Sequence, residues 1–236
     1  MKKVYQNVIA IDGPSGSGKS TVARELAHNL NVLYIDTGAM FRALAFYADQ
    51  KKCDFSEGPH LDHFLNSIKM SYGVNRQTLI DINGENLTEK IREHHVSHLA
   101  SIISQLKSVR QYLLNFQRQL AFGRVCVMEG RDIGTVVFPE AFCKFFITAS
   151  IEVRAERRLE QLRNNGDLAI LMEQVIADVK SRDESDMNRA FAPLKQAEDA
   201  ILLDTSKLPI EQIIELLAKE VRFRAAHIGL NLELGR

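Results

Sequence analysis

The chain has 236 residues and is short of cysteine, of net charge and of long apolar runs. Cys53, Cys126 and Cys143 are three and scattered. A disulfide-built secreted scaffold would be small and usually even-numbered in cysteine, so a reduced compartment fits better. There is no C-x-x-C, which removes the zinc-cluster and redox-pair readings. Two of the cysteines lie in apolar runs, where cysteine acts as a small hydrophobe. Thirty Lys+Arg balance thirty Asp+Glu, so the formal net charge is zero. That argues against a simple binder of nucleic acid or anionic membrane, though not against a local basic site. No apolar run reaches the roughly 18 residues that a membrane span needs. The first eight residues hold two lysines but no apolar core, so no signal peptide is predicted. A soluble, cytoplasmic chain is expected, with no internal repeat and no low-complexity linker.

What is present is ordinary in amount, 45% hydrophobic and 25% charged, and informative in order. Dividing the length by about 150 gives roughly one and a half domains, so one large domain with a small insertion is expected. Short, continuous apolar runs occupy 8–11, 32–35, 125–128, 145–147 and 201–203. Such runs suit strands buried on both faces of a parallel sheet. Helical periodicity separates several of them: Ala23, Leu26, Ala27 and Leu30 recur at i, i+3, i+4, i+7, as do Val109, Tyr112, Leu113 and Phe116. Ser108 with Gln111 predicts a capping box for the second of these helices, and Gly123 its end. A further helix is predicted over 89–106, and another over 210–224 with Pro209 in its first turn. The stretch 70–87 differs, with turn signals at Tyr72-Gly73 and Asn83-Gly84, and predicts a small antiparallel insertion. Strand–helix alternation gives an α/β protein, whose ligands bind at the carboxyl ends of the strands.

Gly13-Pro14-Ser15-Gly16-Ser17-Gly18-Lys19-Ser20 fits G-x-x-x-x-G-K-[ST] between a predicted strand and a predicted helix. Backbone N–H groups of such a loop wrap phosphate oxygens at the positive end of the helix. Lys19 is placed to reach the β- and γ-phosphates, and the Ser20 hydroxyl to ligate Mg²⁺. A P-loop alone does not separate kinase, ATPase and GTPase. There is no Asn-Lys-x-Asp to read guanine, and the D-x-x-G match at Asp81–Gly84 falls on a predicted hairpin turn. Met128-Glu129 could be a minimal Walker B, but a motor-type ATPase would be larger. A nucleotide-hydrolysing regulatory protein stays open at this point.

Arginines stand where phosphates would be met. Arg42 follows the second predicted strand in Asp36-Thr37-Gly38-Ala39-Met40-Phe41-Arg42, and Arg131 follows the third in Glu129-Gly130-Arg131-Asp132. Forked guanidinium donors suit phosphate oxygens. Arg154, Arg157 and Arg158 share a helical face, and the Asn164-Asn165-Gly166-Asp167 turn after them suggests a lid. Arg182, Asp186 and Arg189, at i, i+4, i+7, are expected on one face of another helix. Taken singly, these helical charges also read as solvated, ion-paired surfaces.

Five blocks occur in order: GPSGSGKST (13–21), DTGAMFR (36–42), EGRDIGTVVFP (129–139), the Arg154/Arg157/Arg158 helix and RDESDMNRAFAPL (182–194). Together they resemble the bacterial cytidylate kinase family, over about residues 8–217. The resemblance implies a three-layer P-loop NTPase fold. Its parts would be a parallel five-stranded sheet, a small antiparallel insertion in the monophosphate-binding region and a helical lid. The implied core covers about 1–40, 105–150 and 190–225, the monophosphate-binding insertion about 41–104 and the lid about 151–189. It also implies transfer of the γ-phosphoryl group of ATP to CMP or dCMP, with Mg²⁺, in pyrimidine nucleotide metabolism, by a monomer that needs neither nucleic acid nor membrane. In that reading Gly13 to Thr21 hold ATP, and Ser20 takes the metal. Lys19, Arg131, Arg154, Arg157 and Arg158 neutralise the transferred group. Arg42, Arg131 and Arg182 contact the acceptor phosphate, and Ser101 and Arg110 read cytosine. Thr37 keeps a hydroxyl, while Asp132, Asp186 and Arg189 lie around base and sugar. Phe41 stands where the family usually has tyrosine. Seven of the 30 basic residues would then converge on phosphates, and neutrality would average over a basic cleft and an acidic surface.

Overall fold

The computed structural model describes residues 7–73, 75, 79–164, 166 and 169–232. Along the chain come β1 (Val8–Asp12), α1 (Lys19–Leu30), β2 (Leu33–Asp36), α2 (Thr37–Gln50), α3 (Pro59–Asn66), β3 (Met70–Tyr72), β4 (Ile80–Ile82) and β5 (Glu85–Asn86). A 3-10 turn (Lys90–Arg92) leads to α4 (His94–Ile103), α5 (Lys107–Ala121), β6 (Cys126–Gly130) and a π-helical turn (Ile133–Val137). Then follow β7 (Cys143–Thr148), α6 (Ile151–Asn164), α7 (Met172–Asn188), β8 (Ile201–Asp204) and α8 (Ile210–His227).

These elements form two compact units, one running to Asp36 and resuming at Arg118, the other Thr37–Gln117. The first holds a five-stranded sheet in the order β2-β6-β1-β7-β8, every neighbouring pair parallel. β1 is buried throughout, as the apolar run Val8–Ile11 requires of a central strand covered on both faces. α1 and α8 cover this sheet, with Ala23, Leu26, Leu30, Leu217 and Val221 in one core with Ile9, Val127 and Phe145. Cys126 on β6 and Cys143 on β7 are free and buried, and burial pushes both thiols up to about 12, so they behave as hydrophobes. α6 and α7 pack on each other through Ala155, Leu159, Leu162, Val175 and Val179.

The second unit carries the antiparallel sheet β3-β4-β5, where a small insertion was expected. Asn83 and Gly84 both take positive φ (52° and 85°) between β4 and β5, the requirement of a tight primed turn. The Asp81 carboxylate accepts the Gly84 N–H at 3.0 Å, so the D-x-x-G match is turn chemistry. Val74 and residues 76–78 of the predicted insertion lie outside the described residues.

Four local expectations are corrected. The single helix over 89–106 is two pieces, because Glu93 is extended (φ −62°, ψ 140°) between the 3-10 turn and α4. α5 begins at Lys107, and Ser108 forms no capping box with Gln111. Its hydroxyl and N–H instead donate to Glu57, at 2.7 and 3.1 Å, a carboxylate from 51 residues away. Arg189 lies one residue past α7 in extended backbone, so it does not share a helical face with Arg182 and Asp186. Pro209 caps α8 rather than entering its first turn. Of the predicted lid turn, Asn165 and Asp167 lie outside the described residues.

Candidate active site

β1 and β6 pair in register Asp12↔Gly130, so the chain leaves both strands at the same level. Gly13 opens the P-loop there and Arg131 opens the neighbouring loop. A Cβ on Gly13 would sit 2.0 Å from the Ile147 carbonyl oxygen, so only glycine fits where the loop crosses β7. Lys19 is buried beneath the loop, its Nζ donating to the Pro14 carbonyl at 3.5 Å. Burial, with Arg131 nearby, lowers its pKa to about 8. Charge on Lys19 is therefore poorly satisfied until an anion arrives.

Ser20 Oγ donates to Glu129 Oε2 at 2.7 Å, and Tyr34 Oη donates to Oε1 of the same carboxylate at 2.5 Å. Burial, and then Asp36, push Glu129 upward. A hydroxyl backed by carboxylates is an all-oxygen donor set suited to a hard divalent cation. Among the described residues no group of three or more His, Cys, Asp or Glu could hold a metal ion.

Beside the P-loop, Arg131, Asp132, Asp186 and Arg189 form one alternating chain of charges. Arg131 Nε donates to Asp186 Oδ2 at 2.8 Å. Arg189 donates to Asp186 Oδ1 at 3.2 Å and to Asp132 Oδ1 at 3.4 Å. Burial works against the Arg131 charge, but Asp186, with Glu129 and Asp183, more than offsets it and the pKa is raised. Arg182, one turn before Asp186, pairs with Asp178 at 3.2 Å. The resemblance groups Asp132, Asp186 and Arg189, and the structure joins these three to Arg131 in one network.

The α6 arginines are arranged differently. Arg154 is buried, pairs with Asp183 at 2.5 Å and donates to the Ser15 carbonyl at 3.1 Å. Arg157 donates to the Ser17 carbonyl at 3.3 Å and to the hydroxyl and carbonyl of Thr205 at 3.1 and 3.0 Å. Thr205 Oγ1 also donates to the Ser17 carbonyl at 3.0 Å. Arg158 reaches Gln161 at 2.8 Å. In this structure Arg154 and Arg157 brace the P-loop backbone. Asp183 and Thr205 were not anticipated, since neither belongs to a phosphate-binding pattern.

In the second unit Thr37 is buried at the start of α2, and Arg42 is partly exposed on the same helix. Arg110 is buried on α5, its Nη1 donating to the Ser104 carbonyl at 3.1 Å and its guanidinium 5.2 Å from the centre of the Phe41 ring. Ser104 Oγ in turn donates to the Ser101 carbonyl at 2.8 Å, so Ser101 and Arg110 belong to one local framework.

The family profile described as Cytidylate kinase matches residues 9–223. A cytidylate kinase of Halalkalibacterium halodurans is 44% identical over 226 residues, covering 95% of this chain and 100% of the relative. Those of Citrifermentans bemidjiense and Thermotoga petrophila are each 43% identical, covering 96% and 92% of this chain and 98% and 97% of theirs. Among solved structures, an uncharacterized protein from Eubacterium ventriosum aligns with a TM-score of 0.50 at 15% identity, covering 92% of this chain and 99% of that one, a likeness of fold alone. With the profile spanning almost the whole P-loop fold and the relatives matching nearly end to end, this chain belongs to the cytidylate kinase family.

Proposed function

We propose that this protein transfers the γ-phosphoryl group of ATP to CMP or dCMP, giving ADP and CDP or dCDP. The observation that carries this reading, beside the family match, is the Asp12↔Gly130 register. It sets a phosphate-binding loop next to a loop whose arginine is held by a carboxylate. The acceptor's phosphate oxygens are largely anionic at neutral pH, so the attacking atom needs no general base. Catalysis is alignment plus neutralisation of charge on the transferred group. Gly13 to Thr21 hold the ATP phosphates, and Lys19 takes up the charge its burial otherwise disfavours. Ser20, with Glu129 behind its hydroxyl, would hold a Mg²⁺ ion, which would supply further neutralisation of phosphate charge.

Arg42, Arg131 and Arg182 contact the acceptor phosphate, with Thr37 adding a hydroxyl. Ser101 and Arg110 read the cytosine edge, where an N4 amino donor lies beside O2/N3 acceptors. A guanidinium serves the acceptors and an oxygen takes the amino proton. Uracil reverses that pattern and would leave buried groups unpaired. Asp132, Asp186 and Arg189 lie around base and sugar. Arg158 stabilises the transferred group from α6, Arg154 and Arg157 act on it through the P-loop backbone they brace, and closure over the substrates suppresses hydrolysis. Core (about 1–40, 105–150, 190–225), acceptor-binding insertion (about 41–104) and lid (about 151–189) are the matching division of the chain. The protein acts as a cytoplasmic monomer in pyrimidine nucleotide metabolism, without nucleic acid or membrane. Among the described residues no helix is long and apolar enough to cross one. With Mg·ATP, CMP should be phosphorylated at least about tenfold better than AMP, GMP or UMP, a margin within reach of unpaired-group discrimination. Preference for another monophosphate would move the protein to a different acceptor class.

A further inference from the structure

The loop that carries Arg131 and Asp132 runs straight into the π-helical turn Ile133–Val137. Single π turns are rare and gather at functional sites. The Asp132 carbonyl is the turn's first acceptor, taking the N–H groups of Val136 at 2.9 Å and Val137 at 3.1 Å. The turn's geometry therefore sets the backbone of Asp132 directly. Its first N–H groups and last carbonyls have no partner inside so short a turn.

Two charged side chains from distant sequence satisfy those groups. At the start, Asp12 Oδ1 accepts the Ile133 N–H at 2.8 Å and Oδ2 the Gly134 N–H at 2.7 Å. At the end, Arg118 Nε donates to the Val137 carbonyl at 3.0 Å and Nη2 to that of Val136 at 3.2 Å. A carboxylate thus sits at the positive end and a guanidinium at the negative end. A Cβ on Gly134 would meet the Lys144 side chain at 3.1 Å and Asp12 Oδ2 at 3.4 Å, so the backbone is pressed against its clip. Asp12 is also the residue before Gly13, which ties the turn to the start of the P-loop. Neither residue belongs to a substrate-contact pattern.

We propose that Asp12 and Arg118 are positioning residues for phosphoryl transfer, holding the π turn at both ends and so fixing Arg131 and Asp132. This rests on the reading that Arg131 engages the acceptor. Arg118→Ala is the cleaner probe, because its side chain donates to the far end of the turn and not to the P-loop side. With saturating ATP, KM for CMP should rise on the order of tenfold while KM for ATP stays within about twofold. Arg118→Lys, whose ammonium can still donate to a carbonyl, should recover part of the loss. A merely structural role would lower thermal stability without separating the two KM values. Arg118→Ala added to Arg131→Ala should then cost almost nothing beyond Arg131→Ala alone, because coupled residues are non-additive. Where Arg118→Ala fails to fold, Arg118→Gln carries the same comparison, and Asp12→Asn tests the other end. If Arg131→Ala cripples the enzyme and the Arg118 variants keep a normal KM for CMP, or if the losses simply multiply, the positioning role is overturned. If Arg131→Ala itself is harmless, the acceptor reading fails instead.

Discussion

Two groups of arginines flank the P-loop, and they are held by different means. Arg131 and Arg189 are fixed chiefly side chain to side chain, by Asp186 and Asp132 in an alternating row, each with one backbone carbonyl besides, at Gly130 and Ala192. Arg154 and Arg157 are fixed largely to backbone, at the Ser15, Ser17, Ala149 and Thr205 carbonyls, with Asp183 completing the set. The first arrangement presets guanidinium groups at a ligand-facing loop, where phosphate can compete with carboxylate for the same forks. The second shapes the loop that cradles the donor. The same residue type is expected to fail differently in the two places: turnover in one, stability and donor binding in the other.

The largest effect should come from Arg131→Ala. Loss of a guanidinium from the transferring phosphate is expected to lower kcat on the order of 10³-fold, by the scale of arginine fingers, with little change in melting temperature. Near-normal turnover would dissolve the contrast.

Arg154→Ala should do the reverse. It leaves Asp183 buried without its counter-ion, and Asp183 Oδ1 already has no hydrogen-bond partner among the described residues. Breaking a buried pair costs about 3–5 kcal/mol. Denaturation should show a loss of that order, and Arg154→Ala with Asp183→Ala should recover part of it. A stable Arg154→Ala protein with slow chemistry would place Arg154 with the first group.

The smallest expected effect sharpens how Lys19 serves the donor. Its pKa in the free protein lies below the usual lysine value, at about 8, while phosphate binding requires the charged form. Below pH 8 the amine is already charged, and its contribution to ATP affinity is flat. Above pH 8 binding must take up a proton, so affinity should fall by up to about tenfold per pH unit until the pKa of the complex is reached. Lys19→Met should lower affinity and abolish that slope in calorimetric titrations.

Much of this was legible in the sequence because it is local. The P-loop is eight consecutive residues whose chemistry depends on spacing, and the buried parallel strands announce themselves as continuous apolar runs. Asn83-Gly84 is a turn dictated by two residues. What could not be read joins distant sequence. Asp12 meets Ile133 and Gly134 across 121 and 122 residues, and nothing local marks an aspartate before a P-loop as a clip. Glu57 reaches Ser108 from another helix connection, which displaced the expected capping box. Helical spacing placed Arg189 on the face of Arg182, but the chain turns extended at that residue and aims it at Asp132 instead. The zero net charge reads differently too: several of the seven arginines have carboxylates within the site itself, so part of the compensation is local.

The γ-phosphoryl group of ATP bound at the P-loop should go to a cytidine monophosphate rather than to water. Counting CDP formed against ADP released, with and without CMP, tests it most directly. One CDP per ADP is expected, with almost no ADP in the absence of acceptor. ADP released at the same rate without CMP, and no CDP with it, would make the protein a nucleotide hydrolase of the switch type and contradict the account.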